Sequence, residues 1–395
     1  MRLEQALSIA ELRRQAQRRL PRSVFDFIDG GAEDEHTLRD NRAAFERVRL
    51  LPRVLTDVRE PDTRCTLFCS EHRAPIVIAP MGSCMLAWPE ADIAIARAAA
   101  EHGLPYTLST MSTTGIERMA RAVQGELWFQ LYVLKDRAFN EQLVRRASAA
   151  DYRALVVTVD LQAGGKREKD LRNGISVPLR MTPRHLLEGI THPGWAWRML
   201  RGGLPEFENV RGYLKDQGAG LTIAARVGQN LDAGFGWDDL QRLRDLWPGP
   251  LLVKGVEHPL DAVRLQGIGV DGLWVSNHGG RQLDGAAAAA DALALVAQAT
   301  AGQLPLLVDS GVRRGVDILK ARALGATAVA IGRPALFGAA VAGQRGVAHA
   351  LDILTSELRL AMKLAGTPRL SDANHDLLAS THGGAVGTNR LTNAA

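Results

Sequence analysis

The chain has 395 residues, 46% hydrophobic and 23% charged, which is ordinary globular composition with room for one large domain or two average ones. Its three cysteines, Cys65, Cys69 and Cys84, are too few for a disulfide framework, and no nearby His or Cys completes a metal site around Cys65 and Cys69, so no metal is expected. The formal charge of +5, without a basic stripe or a nucleic-acid motif, sets nucleic acid aside and suits an anionic substrate, cofactor or membrane surface.

The segment Met1–Gln5 is charged and lacks the apolar core of a secretory signal. The Ala-rich stretches near 286–301 and 326–343 are broken by Asp291 and Arg333, so neither reads as a bilayer span. A cytoplasmic protein, soluble or peripheral on the inner face of the membrane, is expected. Residues 1–75 read as an N-terminal helical segment. After it come eight short apolar runs, each ending at or just before a polar residue, proline or glycine: Ile76–Ala79, Tyr106–Leu108, Leu127–Gln130, Leu155–Thr158, Leu251–Lys254, Gly272–Val275, Leu306–Asp309 and Ala328–Ile331. Helical patterns such as Ala91–His102 and Gly315–Leu324 lie between them. Eight such alternations over roughly 250 residues fit an α/β fold of the (β/α)8 barrel type better than an open sheet. The interval after the fourth run, with residues 175–220 at its heart, holds no defensible strand and reads as an expanded loop. A single barrel domain is expected over 1–370, with a Gly/Asn/Thr-rich tail at 371–395.

Gly267–Gly272 matches the dinucleotide pattern G-x-G-x-x-G, but it follows a helical run and precedes a strand. The true fingerprint follows a strand and opens a helix, so a helix-ending turn is expected and nicotinamide binding loses its support. Ser276–Asp284, in contrast, follows the sixth strand and carries a base, His278, and a cation, Arg281, around Gly279 and Gly280. Histidine can take a proton near neutral pH, and arginine can hold a carboxylate by two parallel hydrogen bonds. Asp160, just past the fourth strand, is a candidate orienter for His278, or else a helix cap. Lys254 ends the fifth strand, where it can stabilise negative charge on a bound ring. Asp309–Gly315 and Gly332–Pro334 follow strands seven and eight, the usual phosphate site of such barrels, with Arg313 and Arg333 adding charge. Arg167 is a second candidate carboxylate clamp, although one charge in a mixed run also suits a solvated face.

With Gly30–Glu35, Ile78–Pro80, Leu108–Thr110, Trp128–Tyr132, Thr158–Asp160, Leu252–Gly255, Ser276–Asp284 and Asp309–Arg314 in that order, the chain resembles the FMN-dependent (S)-2-hydroxy-acid dehydrogenases and oxidases from about residue 20 to about 370. Thr191–Trp197 resembles the bacterial respiratory L-lactate dehydrogenases within that family. The resemblance implies FMN across the barrel top, touched by Pro80, Gly82, Ser109, Gln130, Thr158, Lys254 and Ser276. Its phosphate would lie near Asp309, Gly311, Arg313, Gly332 and Arg333. By the same likeness, His278 paired with Asp160 takes the hydroxyl or α-carbon proton, Arg281 and Arg167 hold the substrate carboxylate, and Tyr132 bonds the substrate oxygen. The implied reaction oxidises a 2-hydroxy acid, L-lactate first, with (S)-mandelate or another larger acid, or an oxygen-using oxidase, as the alternative. Gly82 stands where the oxidases tend to carry Ala, which leans towards a quinone or cytochrome acceptor. A homo-oligomer, usually a tetramer in the family, is also implied.

One departure matters. Phe27 stands where the family usually has Tyr, whose hydroxyl bonds the substrate carboxylate, and loss of such a bond costs roughly 1.5–3 kcal/mol. The expanded loop carries Trp195, Trp197, Arg180, Arg184, Arg198 and Arg201, a mixture that suits a membrane interface or a mobile lid.

Overall fold

The computed structural model describes residues 3–174, 182–203, 206–211, 213 and 228–379. Helices Ile9–Arg19, Arg22–Asp29 and His36–Arg47 come first, followed by a small antiparallel hairpin, β1 (Cys65–Leu67) and β2 (Ser70–His72). The hairpin is absent from the sequence expectation of a purely helical N-terminal segment. Its three-residue strands are too short and too mixed in polarity to show a period. It sits against the barrel interior: Leu67 is buried with the inward-facing residues, and the Phe68 ring meets Trp128 edge-on at 5.6 Å.

Eight parallel strands then close a barrel: β3 (Ile76–Ile78), β4 (Tyr106–Ser109), β5 (Leu127–Tyr132), β6 (Ala154–Thr158), β7 (Leu251–Lys254), β8 (Gly272–Val275), β9 (Leu306–Val308) and β10 (Ala328–Ile331), with β10 pairing β3. All eight expected runs are strands, with ends shifted by at most two residues. β5 runs on to Tyr132 because the Gln130 amide, which looks like a strand end, is fully satisfied inside by Ser109 and Thr158. Strands buried on both faces need no alternation, which is why they read as continuous apolar runs. Trp128, Val156, Leu252, Trp274 and Leu307 fill the interior, while a second, larger set packs the outer strand faces against the helices.

The interval between β6 and β7 has no strand among its described residues; it holds helices Glu168–Asn173, Pro183–Thr191, Pro193–Gly202 and Trp237–Leu246. Gly269, at φ 80°, caps the helix Pro259–Ile268, so the G-x-G-x-x-G stretch is the expected helix-ending turn. The last helix, Arg333–Ala365, kinks at Ala342 and Gly343, where the Trp88 ring lies within 2.8 Å of a would-be Cβ. The segment after it does not simply trail away: Leu370 and Leu377 are buried, and Leu378 bridges Leu50. No described helix is long and apolar enough to cross a membrane.

Candidate active site

Parallel strands deliver their C-terminal ends to one rim, and register sets the neighbours there: Thr158 lies opposite Lys254, and Lys254 opposite Trp274. A cleft of ≈ 200 Å³ opens at this rim. Lining it are Pro80, Gly82, Tyr132, Arg167, Lys254, His278, Arg281, Asp309, Gly311, Arg313, Gly332 and Arg333. Ser276 and Asp160 stand behind that wall and bond its members Lys254 and His278, while Ser109, Gln130 and Thr158 form a bonded row beside them. Every expected site residue is thereby brought to one region.

His278 adopts a left-handed backbone, φ 58°, as the chain leaves β8, and Ser276 Oγ accepts its N–H at 3.0 Å. This turn aims the ring into the cleft. Nδ1 lies 2.9 Å from Asp160 Oδ1 and Nε2 lies 3.2 Å from the Tyr132 hydroxyl. With Nδ1–H donated to the carboxylate, Nε2 is left as the accepting nitrogen. Burial pushes the His278 pKa down more than Asp160 pushes it up, while Lys254 also lowers it. Burial alone would raise Asp160, but His278 and Lys254 outweigh it and hold the carboxylate ionised. Tyr132 is pushed up to about 12, chiefly by burial, so it stays a neutral hydroxyl.

Lys254 is buried, and its Nζ donates to Ser276 Oγ at 2.8 Å above the Trp274 ring. Burial would lower its pKa, but Asp160 and Asp309, at 3.7 and 3.5 Å, raise it and keep the ammonium charged. Asp309 lines the cleft and also anchors its wall: its carboxylate accepts the Trp274 indole N–H at 3.1 Å and the Ser310 hydroxyl at 2.6 Å.

Arg281 and Arg167 approach the Phe27 ring at 5.4 and 5.6 Å. Arg281 donates to the carbonyls of Phe27 and Gly30 at 2.9 and 3.0 Å, and burial, then Arg167, pushes it well below the usual guanidinium range. Arg167 is not on a solvated face: its side chain is 13% exposed, with Asp170 at 3.3 Å. Asp170 was missed in the sequence, though its place three residues after Arg167 beside a short helix is the spacing of such pairs. Ser310 was also missed; its hydroxyl takes the Gly279 N–H at 3.0 Å and links the two loops.

At the other end, Arg333 donates to the carbonyls of Ile28, Gly279 and Gly30, and Arg313 to that of Val312. Neither guanidinium hydrogen-bonds a carboxylate among the described residues, although the Arg313 backbone N–H donates to Asp317. Burial pushes both down; Arg333 and Arg42 add to it at Arg313, which falls to about 9, while Asp29, Asp309 and Glu35 oppose it at Arg333. Two buried guanidinium groups that feel Asp29 but bond no carboxylate suit a phosphate. Gly311, at φ 112°, is required there, since a Cβ would meet Asn41 O at 2.2 Å. The donor set therefore fits FMN: cations at one end for phosphate, and Lys254 at the other for a ring that becomes anionic.

A parallel (β/α)8 barrel with a His–Asp pair, two arginines and a phosphate end defines a class: flavin enzymes that act on hydroxy acids. The pattern of the FMN-dependent dehydrogenases matches residues 16–380, and the chain belongs to that family, with FMN as its cofactor. It is 41% identical over 372 residues to a Pectobacterium atrosepticum protein named L-lactate dehydrogenase, covering 93% of this chain and 95% of that one. A protein of the same name from Ectopseudomonas mendocina is 41% identical over 369 residues, covering 93% and 97%. Among solved structures, the monotopic membrane protein (S)-mandelate dehydrogenase superposes with a TM-score of 0.89 at 37% identity, covering 95% of this chain and all of that one. A mandelate oxidase bound to (S)-2-phenylpropionate matches at 0.79 and 36%, covering 95% and 98%. The protein is an oxidoreductase of 2-hydroxy acids.

Proposed function

We propose that this enzyme oxidises L-lactate to the 2-oxo acid and passes the electrons to a quinone or cytochrome. The observation that carries the reading is the His278–Asp160 pair facing Arg281 and Arg167 across one cleft. The arginines hold the substrate carboxylate, and Tyr132 bonds the substrate oxygen beside His278. His278 Nε2 receives the hydroxyl or α-carbon proton, and Asp160 stabilises the imidazolium that results. Pro80, Gly82, Ser109, Gln130, Thr158, Lys254 and Ser276 hold FMN, with its phosphate near Asp309, Gly311, Arg313, Gly332 and Arg333. Bound there, FMN supplies the two-electron acceptor.

A second reading is a larger acid such as (S)-mandelate. Phe27, Met81, Leu161 and Leu336 give the cleft apolar surface that a methyl side chain does not need. Anaerobic addition of L-lactate, (S)-mandelate and glycolate to the yellow protein tests both. Bleaching by L-lactate at the lowest concentration is expected; bleaching by none of them refutes the reading.

A membrane surface on the cytoplasmic side is the proposed meeting place with the acceptor. In support, helices Pro183–Thr191 and Pro193–Gly202 expose Leu186, Leu187, Ile190, Trp197 and Leu200. Arg201 stacks on Trp197 at 4.5 Å, a basic–aromatic pair suited to a headgroup layer. Trp195 and Arg198 instead turn inward, to Leu86 O and the Trp88 ring. Arg180 and the Arg184 side chain lie outside the described residues. Deleting 180–212 should release the protein from membranes, and unchanged sedimentation refutes that part. A homo-tetramer is proposed from family membership, with light scattering as its check.

A further inference from the structure

Behind the His278–Asp160 pair lies a second cavity, ≈ 400 Å³ against ≈ 200 Å³ for the main cleft, sharing only Leu161 and Gln282 with it among the described lining residues. Asp160 lines this second cavity and not the first. Its two oxygens do different work. Oδ1 accepts from His278, while Oδ2 is buried without a hydrogen-bond partner, Lys254 Nζ standing 3.7 Å away. Glu257, three residues past Lys254, lines the same cavity, and its Oε1 is likewise buried and unpartnered among the described residues.

Two residues of one cavity that each carry such an oxygen call for a donor, because an unmade hydrogen bond to a buried charged group costs more than a made one gains. The other walls are apolar, from Phe235, Trp237, Leu240, Val256 and Leu265. The remaining charges there are also acidic: Asp261 on the helix after β7, and Asp232, which Arg137 approaches at 3.6 Å. Burial, reinforced by Asp160 and Asp309 and opposed by Lys254, pushes the Glu257 carboxyl up to about 7. A nearby cation would reverse that. We propose that this cavity is a ligand site for a protonated primary amine with an apolar or aromatic body, its ammonium directed at the carboxylates of Asp160 and Glu257. An anion is repelled from the site, and a neutral ring leaves both oxygens bare.

Occupancy reaches the reaction through Asp160. An ammonium at Oδ2 offsets part of the negative charge that stabilises the His278 imidazolium. The proton affinity of His278 falls, and turnover slows although the substrate cleft stays open. This coupling rests on the hydroxy-acid reading, whereas the binding does not.

Calorimetric titration of the FMN-loaded protein with phenethylamine, and with 3-phenylpropionate as its anionic counterpart, tests the site. One amine per chain should bind, and the anion should not. Glu257→Gln should weaken the amine by about tenfold, the scale of one charge-assisted bond. Leu265→Trp, which fills the apolar end and leaves both carboxylates, should weaken it at least as much. Turnover should show mixed rather than competitive inhibition. No amine binding at about 10 mM, equal binding of the anion, indifference to both substitutions, or displacement by saturating oxalate in the main cleft would each overturn the proposal. Failure to oxidise any hydroxy acid would refute the functional reading and leave the calorimetry standing.

Discussion

Phe27→Tyr is the sharpest test of how the substrate clamp works. The Phe27 ring is 7% exposed, lines the cleft and lies between the guanidinium groups of Arg167 and Arg281 at 5.6 and 5.4 Å. A hydroxyl added to that ring enters a site already arranged to receive a carboxylate, so little side-chain ordering is lost. One new hydrogen bond to a charged group is worth about 1.5–3 kcal/mol, or roughly a 10- to 150-fold fall in KM for L-lactate. Because the bond is made to the carboxylate, which does not react, kcat should stay within about twofold. Steady-state kinetics with an artificial acceptor, run in parallel for L-lactate and (S)-mandelate, separates the two parameters. An unchanged or higher KM for both acids would refute the reasoning and show that the carboxylate does not lie beside Phe27.

Asp160→Asn removes the charge that stabilises imidazolium and leaves the volume, so kcat should fall by about 10²–10⁴, the range of general-base catalysis. In the parent enzyme burial already depresses His278, so the acid limb of kcat/KM should have its midpoint below 6.5. Activity is lost as pH falls through it, and in Asp160→Asn the limb should move lower still; a shift upwards would contradict the pairing. Arg313→Met should weaken FMN by roughly 10- to 150-fold in a fluorescence titration, since a charge-assisted phosphate bond is lost. Gly311→Ala should lower Tm measurably in both apo and FMN-loaded protein, because φ 112° and a 2.2 Å approach to Asn41 O leave no room for a methyl. An unchanged Tm would mean the loop relaxes freely.

Much of this architecture is legible in one sequence for a definite reason. Strands buried on both faces, such as β7 and β8, carry their signal in local composition, and the polar residue at or just past the end, Lys254 or Ser276, marks the rim. Lys254, His278 and Arg313 were readable because they interrupt or end apolar runs. Residues defined by distant partners were not. Nothing local says that Asp170 serves Arg167, that Ser310 binds Gly279, or that Phe68 seats a hairpin against Trp128. Glu257 looks like an ordinary loop charge until the fold buries its oxygen.

The carbonyls of Phe27, Ile28 and Gly30 accept from Arg281 and Arg333, residues more than 250 positions away. The two halves of the ligand cleft are therefore joined by long-range closures, and closures of that length form late. The β10–β3 seam that closes the barrel joins residues as far apart, Val329 to Ile76, so barrel and cleft depend on closures of the same scale. A permuted start or proteolytic nicking before residue 30 should then lower flavin retention and barrel melting together, because Ile9, Leu12, Leu20 and Val24 belong to the same core that packs the outer strand faces. For anyone making this enzyme, colour on purification then reports the assembly of cleft and barrel together.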